Sequence, residues 1–202
     1  MIDDKQLAEI KRDVPKLVNE GVIDKSDEYV KLSSFFVETA EKSLSSARLL
    51  FKASTDKSLM DAAGFPNFDG YLWVINACYY SMFYMASAAL AHDRVKVRSD
   101  IGVHKLTFKA FVYYYHLTNK IKKKLVEEYL QAQQDSQELL GQEEMHAMAE
   151  KKAIELVTHY GLEREKRRRF TYELERTRIE TRAKTSLERA SDFYKEVSKL
   201  IK

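Results

Sequence analysis

The sequence predicts an all-α protein, an up-and-down helical bundle carrying an additional long helical arm or hairpin. Three observations predict it. Only six Gly and two Pro occur in 202 residues, too few for a strand-and-turn protein and in keeping with long helices. Tyr71 to Ala91 contains no charged residue in a chain that is 32% charged, which reads as one central helix about 32 Å long at ~1.5 Å per residue. Apolar residues elsewhere recur at helical spacing.

In chain order, Leu7, Ile10, Val14 and Leu17 mark a first amphipathic segment, with Pro15 expected to kink or restart it and Gly21 to end it. Tyr29, Leu32, Phe36, Ala40, Leu44, Ala47 and Phe51 form the stripe of a long second helix, capped by Ser26 or Asp27. Residues 52–70 hold the loop signals Gly64, Pro66, Asn67 and Gly70. Beyond the central run, Leu106, Phe108, Phe111, Val112 and Tyr115 suit a shorter packed helix.

Residues 118–160 read differently. Ile121, Leu125, Tyr129 and Ala132 keep the period, QAQQDSQ at 131–137 blurs it, and Met145, Met148, Ile154 and Val157 resume it. This is expected to be a hairpin or one long helix projecting from the core, closed by Gly161. The basic run REKRRR at 164–169 is expected to precede a last helix with the stripe Ile179, Ala183, Leu187, Ala190, Tyr194, Val197 and Ile201.

The central run is long enough to cross a membrane. Asn76, four tyrosines, several Ser and Ala, and apolar side chains all round it favour burial among neighbouring helices instead. No membrane is expected. The N-terminus lacks the apolar core of a signal peptide, and the single cysteine, Cys78, excludes an internal disulfide. The chain reads as soluble and cytoplasmic.

Several chemistries lose support. A di-metal carboxylate bundle needs Glu-x-x-His on two helices, and only Glu143 and His146 have that spacing. Five dispersed histidines and one cysteine offer no zinc pattern, and no phosphate-binding glycine loop occurs. Cys78 has no neighbouring base. No metal and no cofactor are expected.

One constellation remains, Arg98-Ser99-Asp100-Ile101-Gly102-Val103-His104. Ser99 or Asp100 as helix N-cap would place His104 in or just beyond the first turn, where the dipole disfavours imidazolium and attracts anions. A neutral histidine beside a fixed arginine suits metal-free RNA cleavage. His104 would take the proton of a ribose 2′-hydroxyl, and Arg98 would stabilise charge at phosphorus. Six residues on one continuous helix lie about 120° apart. Arg98 must therefore fold back from the link or meet a His104 across a two-fold interface. The bland reading makes Asp100 a cap, Arg98 a solvated charge and His104 a packing residue.

FFVETAEKSLSSARLLF (35–51), YLWVINACYYSMFYMASAALA (71–91), the Arg98/His104 pair and the segment from 167 to 201, with its arginines, tyrosine and final amphipathic helix, occur in this order. So arranged, the chain resembles the HEPN (higher eukaryote and prokaryote nucleotide-binding) superfamily, with its Arg-x(4–6)-His motif. The resemblance implies a single domain over 1–202, with a core at about 15–117 and 165–202 and an inserted helical arm at 118–160. It also implies a metal-independent endoribonuclease of toxin or defence type, with Arg98 and His104 catalytic and Ser99 and Asp100 shaping the turn. Implied partners are RNA or a nucleotide, a second copy forming a homodimer, and an antitoxin or nucleotidyltransferase. In the subgroup modified by such transferases a tyrosine follows the histidine by two positions, where this chain has Leu106. The alternative role within the family is a non-catalytic nucleotide-binding or protein-interaction dimer.

Arg167, Arg168 and Arg169 are candidate phosphate contacts or, with Glu163, Glu165, Glu173 and Glu175 among them, a solvated face. Tyr113, Tyr114 and Tyr115 are candidates for base stacking or for packing.

Overall fold

The computed structural model describes residues 2–99, 102–138 and 163–201, with side chains in the last segment described from residue 177 onward. It is an all-α bundle bearing one two-stranded ribbon. Helix α1 (Asp4–Asn19) opens with a capping box between Asp3 and Gln6. Pro15 neither stops nor restarts it. The helix ends at Gly21, whose φ of +72° belongs to the left-handed region. Gly21 N–H donates to Val18 and Val22 N–H to Leu17, so orphan carbonyls are satisfied by the turn that glycine permits.

Strand β1 (Ile23–Lys25) follows, and Ser26 caps a single 3₁₀ turn, Asp27–Tyr29, that leads into α2 (Val30–Thr55). The buried stripe of α2 is Ser33, Ala40, Leu44, Ala47 and Ser54. Its small residues admit α4 closely, and the Ser33 hydroxyl donates to Ala88 O at 3.0 Å. A short helix α3 (Lys57–Ala62) occupies part of the expected loop, capped by Asp56.

Helix α4 (Tyr71–His92) is the axis of the bundle, packed by α2, by α5 (Val103–Phe111) and by α7 (Glu163–Ser198). It is the one described helix long and apolar enough to cross a membrane, yet 72% of its apolar window is buried within the fold. That is the condition of the core helix of a soluble protein. Strand β2 (Val95–Val97) pairs antiparallel with β1, Ile23 opposite Val97 and Lys25 opposite Val95. The link after α4 is thus an ordered ribbon rather than a polar loop.

After α5 the chain widens into a π turn, Val112–His116, in which Leu117 N–H reaches Val112 O. Tyr115 is 1% exposed and donates to Ala89 O at 2.6 Å. Tyr115 is therefore core, and of the three tyrosines only Tyr113 and Tyr114 keep partly accessible rings.

Helix α6 is described over 123–138, in the first half of the segment read as an arm. Val126, Tyr129 and Ala132 are buried, and Tyr129 meets Tyr79, Phe108, Phe111 and Phe193 at ring-centroid distances of 5.4–6.3 Å. This half of 118–160 belongs to the core; residues 139–160 lie outside the described residues. The N-terminal boundary also moves, because Ile2, Ile10 and Val14 are buried with the rest.

The blurred 131–137 stretch has a physical cause. Gln133, Asp135 and Ser136 face inward, where Asp135 accepts from Gln131, Arg182 and Arg189 at 2.9–3.1 Å, and the Ser136 hydroxyl donates to Asn76 at 2.8 Å. In α7 the buried positions are Ala183, Ser186, Ala190, Phe193 and Val197. The basic run 164–169 lies inside this helix rather than before it.

Tyr129 is fully enclosed, and its hydroxyl has no partner among the described residues. Burial without a hydrogen bond costs free energy. Tyr129→Phe is expected to raise stability by on the order of 1 kcal/mol. A urea-unfolding midpoint that moved down would contradict this.

Candidate functional site

Arg98 directly follows β2, and its N–H donates to Val22 O at 2.9 Å. Its guanidinium turns back over β1 to the Asp24 carboxylate at 3.2 Å. The side chain remains 61% exposed. Asp24 also accepts from the Tyr29 hydroxyl at 2.6 Å. That hydrogen bond first, then the Lys25 amide and the charge of Arg98, holds the carboxylate below its ordinary range, while the same hydrogen bond and burial hold Tyr29 above its own. Arg98 is thus held against β1 by Asp24. Asp24 and Tyr29, which lie 74 and 69 positions away, carried no signal in the sequence.

His104 is the second residue of α5. The N-cap is Gly102 at φ +69°, with no side-chain cap, so Ser99 is not the cap; Asp100 lies outside the described residues. A left-handed glycine turns the chain sharply enough for the helix to start at Val103, one residue before His104. Nothing lies within 4 Å of a Cβ placed on Gly102, so backbone strain alone resists substitution. Gly102→Ala is expected to cost about 1–2 kcal/mol, read as a lower urea midpoint at unchanged slope.

The imidazole is half-buried against three rings of α4: Phe83 at 4.4 Å, Tyr79 at 5.5 Å and Tyr80 at 5.7 Å between centroids. Its Nδ1 is enclosed with no partner among the described residues. Desolvation lowers the pKa below the ordinary 6.5, since the charged form loses hydration and gains no counter-charge. Burial therefore disfavours the imidazolium form.

Contact between rings continues from His104 along α4 and α2, through Tyr80, Tyr84 and Phe36 to Phe35, with centroids 5.6–6.3 Å apart. Phe35 is 58% exposed. The Tyr-Tyr-Ser-Met-Phe stretch supplies the histidine's surroundings, a role its helical spacing on α4 could have signalled. Helix α5 packs on both β2 and α4, which brings the elements carrying Arg98 and His104 together. No hydrogen bond joins the two side chains.

Arg167, Arg168 and Arg169 lie on the described backbone of α7, but their side chains are outside the described residues. Burial pushes the Cys78 thiol up to about 12, far from an activated nucleophile. No three His, Cys, Asp or Glu side chains converge on a metal position among the described residues; Glu143 and His146 lie outside them. No family model, curated protein or solved structure matches the chain.

Proposed function

We propose that the protein is a HEPN-type, metal-independent endoribonuclease of the toxin or defence class, acting on RNA in the cytoplasm. The observation that carries this reading is the placement of His104: a half-buried imidazole in the first turn of a helix, packed against three rings and one element away from an exposed arginine. With Nδ1 enclosed, Nε2 is the nitrogen that would take the 2′-hydroxyl proton. The 2′-oxygen then attacks phosphorus, the bond to the 5′-oxygen breaks, and that oxygen leaves with a proton from solvent. Arg98 stabilises the charge that builds at phosphorus. Ser99 and Asp100 shape the connecting turn, and Arg167, Arg168 and Arg169 supply phosphate contacts further along the strand.

The same reading makes the protein a homodimer whose two Arg/His pairs line one cleft. Exposed Phe35 and Leu49 on α2 and Trp73 on α4 are large apolar side chains available for such an interface. An antitoxin or nucleotidyltransferase partner belongs to the proposal as well. Light scattering at micromolar concentration is expected to give twice the chain mass, and a strict monomer would contradict the two-fold cleft.

A second reading has its own support. Arg98 is already paired with Asp24, and His104 sits among three rings, as residues do in a non-catalytic nucleotide-binding or protein-interaction dimer. Incubating a mixed RNA pool with wild type and with His104→Ala, both in EDTA, separates the two. Cleavage by wild type alone supports the ribonuclease. Cleavage by neither, across varied RNA pools, favours the binding role, and equal cleavage by both removes His104 from the chemistry.

A further inference from the structure

The chain leading into α6, the first turn of α6 and the C-terminal end of α7 line an open cavity of about 490 Å³, within the size range of small-molecule sites. None of its lining residues belongs to the Arg98/His104 region. Five lysines line it (Lys120, Lys122, Lys124, Lys195 and Lys199) against three acids, Glu128, Asp192 and Glu196. Its base is apolar, from Ile121, Leu125 and Leu200, along which lysine stems can lie with their ammonium groups free.

The pairing of these lysines is uneven. Lys120 is held by Asp93, which does not line the cavity, at 2.7 Å, and Lys124 reaches Glu128 at 3.5 Å. Lys199 is bonded to Glu196. Lys122 and Lys195 make no ion pair among the described residues. Yet both act on Glu196, whose carboxyl is held below its ordinary range by Lys199 first and then by the charges of Lys195 and Lys122. Lys122, Lys195 and Lys199 thus line one cavity together with Glu196, which is ion-paired to Lys199 alone among them. That is an excess of positive charge in a concave space, where field lines concentrate.

We propose that this cavity binds a small molecule carrying at least two adjacent phosphates. Lysine binds phosphate as a mobile point charge, whereas planar two-point recognition of a carboxylate favours arginine, and no arginine lines the cavity. A single phosphate would leave most of the space and most of the lysines unused. A chain of phosphates reaches Lys122, Lys195 and Lys199 together and shares Glu196's claim on them. The first turn of α6 borders the same space and adds its positive end.

Calorimetric titration of the full-length chain with inorganic tripolyphosphate, ATP and inorganic phosphate tests this. Saturable one-to-one binding of tripolyphosphate and ATP is expected, with inorganic phosphate much weaker. In a Lys122→Ala/Lys195→Ala double variant the affinity is expected to fall roughly tenfold, with the circular dichroism spectrum unchanged. Lys42→Ala, at a lysine paired with Glu38 on α2, is expected to bind like wild type. His104→Ala is also expected to bind like wild type, so failure of the ribonuclease reading leaves this site standing. Absence of saturable tripolyphosphate binding up to on the order of 1 mM would overturn the proposal. So would equal losses in Lys42→Ala, or a double variant that weakens RNA binding while tripolyphosphate never binds.

Discussion

His104→Ala is expected to reduce RNA cleavage by about 10²–10⁴-fold, the range a positioned general base contributes. Because the ring touches Phe83, Tyr79 and Tyr80, alanine also removes packing. His104→Gln keeps most of that volume and is expected to lose as much activity. Equal loss in both variants, with folding intact, assigns the effect to proton transfer rather than to packing. The pH dependence follows from the same burial. The folded-state pKa of His104 lies below the ordinary 6.5, so kcat/KM should rise with pH to a plateau reached by neutrality. Stability runs in the same direction. The unfolded chain takes up the proton first as pH falls through 6.5, so wild type should lose stability relative to His104→Gln below that pH and match its own trend above it. Constant relative stability from pH 7.5 to 5 would contradict a desolvated imidazole.

The second large effect is on the fold. Asp135 is the hub where α6 meets α7: its carboxylate, 10% exposed, faces Arg189 at 3.1 Å and Arg182 at 2.9 Å. Asp135→Ala leaves Arg189, itself 18% exposed, without an anionic partner, while Arg182 keeps Glu138 at 2.9 Å. Breaking a buried pair on one side costs about 3–5 kcal/mol; partial exposure of both arginines brings the expectation to about 2–3 kcal/mol. Removing Asp135, Arg182 and Arg189 together for apolar residues of similar size should cost less than Asp135→Ala alone, since no charge is stranded. Urea unfolding of wild type, Asp135→Ala and the triple variant checks this, and a triple variant weaker than Asp135→Ala would contradict the account.

What could be read in advance was whatever depends on local spacing. The central helix, the α2 and α7 stripes and the turn at Gly21 all follow from periodicity and backbone rules that act within a few residues. The ribbon did not follow, because Val95-Lys96-Val97 is stabilised by Ile23-Asp24-Lys25 some 70 residues away. The core position of α6 was hidden for a related reason. Asp135 and Ser136 look like solvent-facing residues until Arg182, Arg189 and Asn76 are beside them. At the candidate site, position on a first helical turn marked His104 as neutral. Its enclosure by Tyr79, Tyr80 and Phe83, and the hold of Asp24 on Arg98, are tertiary and had no local signature.

The central claim is that a ribose 2′-oxygen, activated by His104, is the nucleophile. It is tested most directly by comparing, in EDTA, an RNA cleaved by wild type with the same strand carrying 2′-deoxyribose at the cleaved position. The account predicts that the all-ribose strand alone is cut there, leaving a 2′,3′-cyclic phosphate. Cutting of the deoxy-substituted strand at that bond would contradict it.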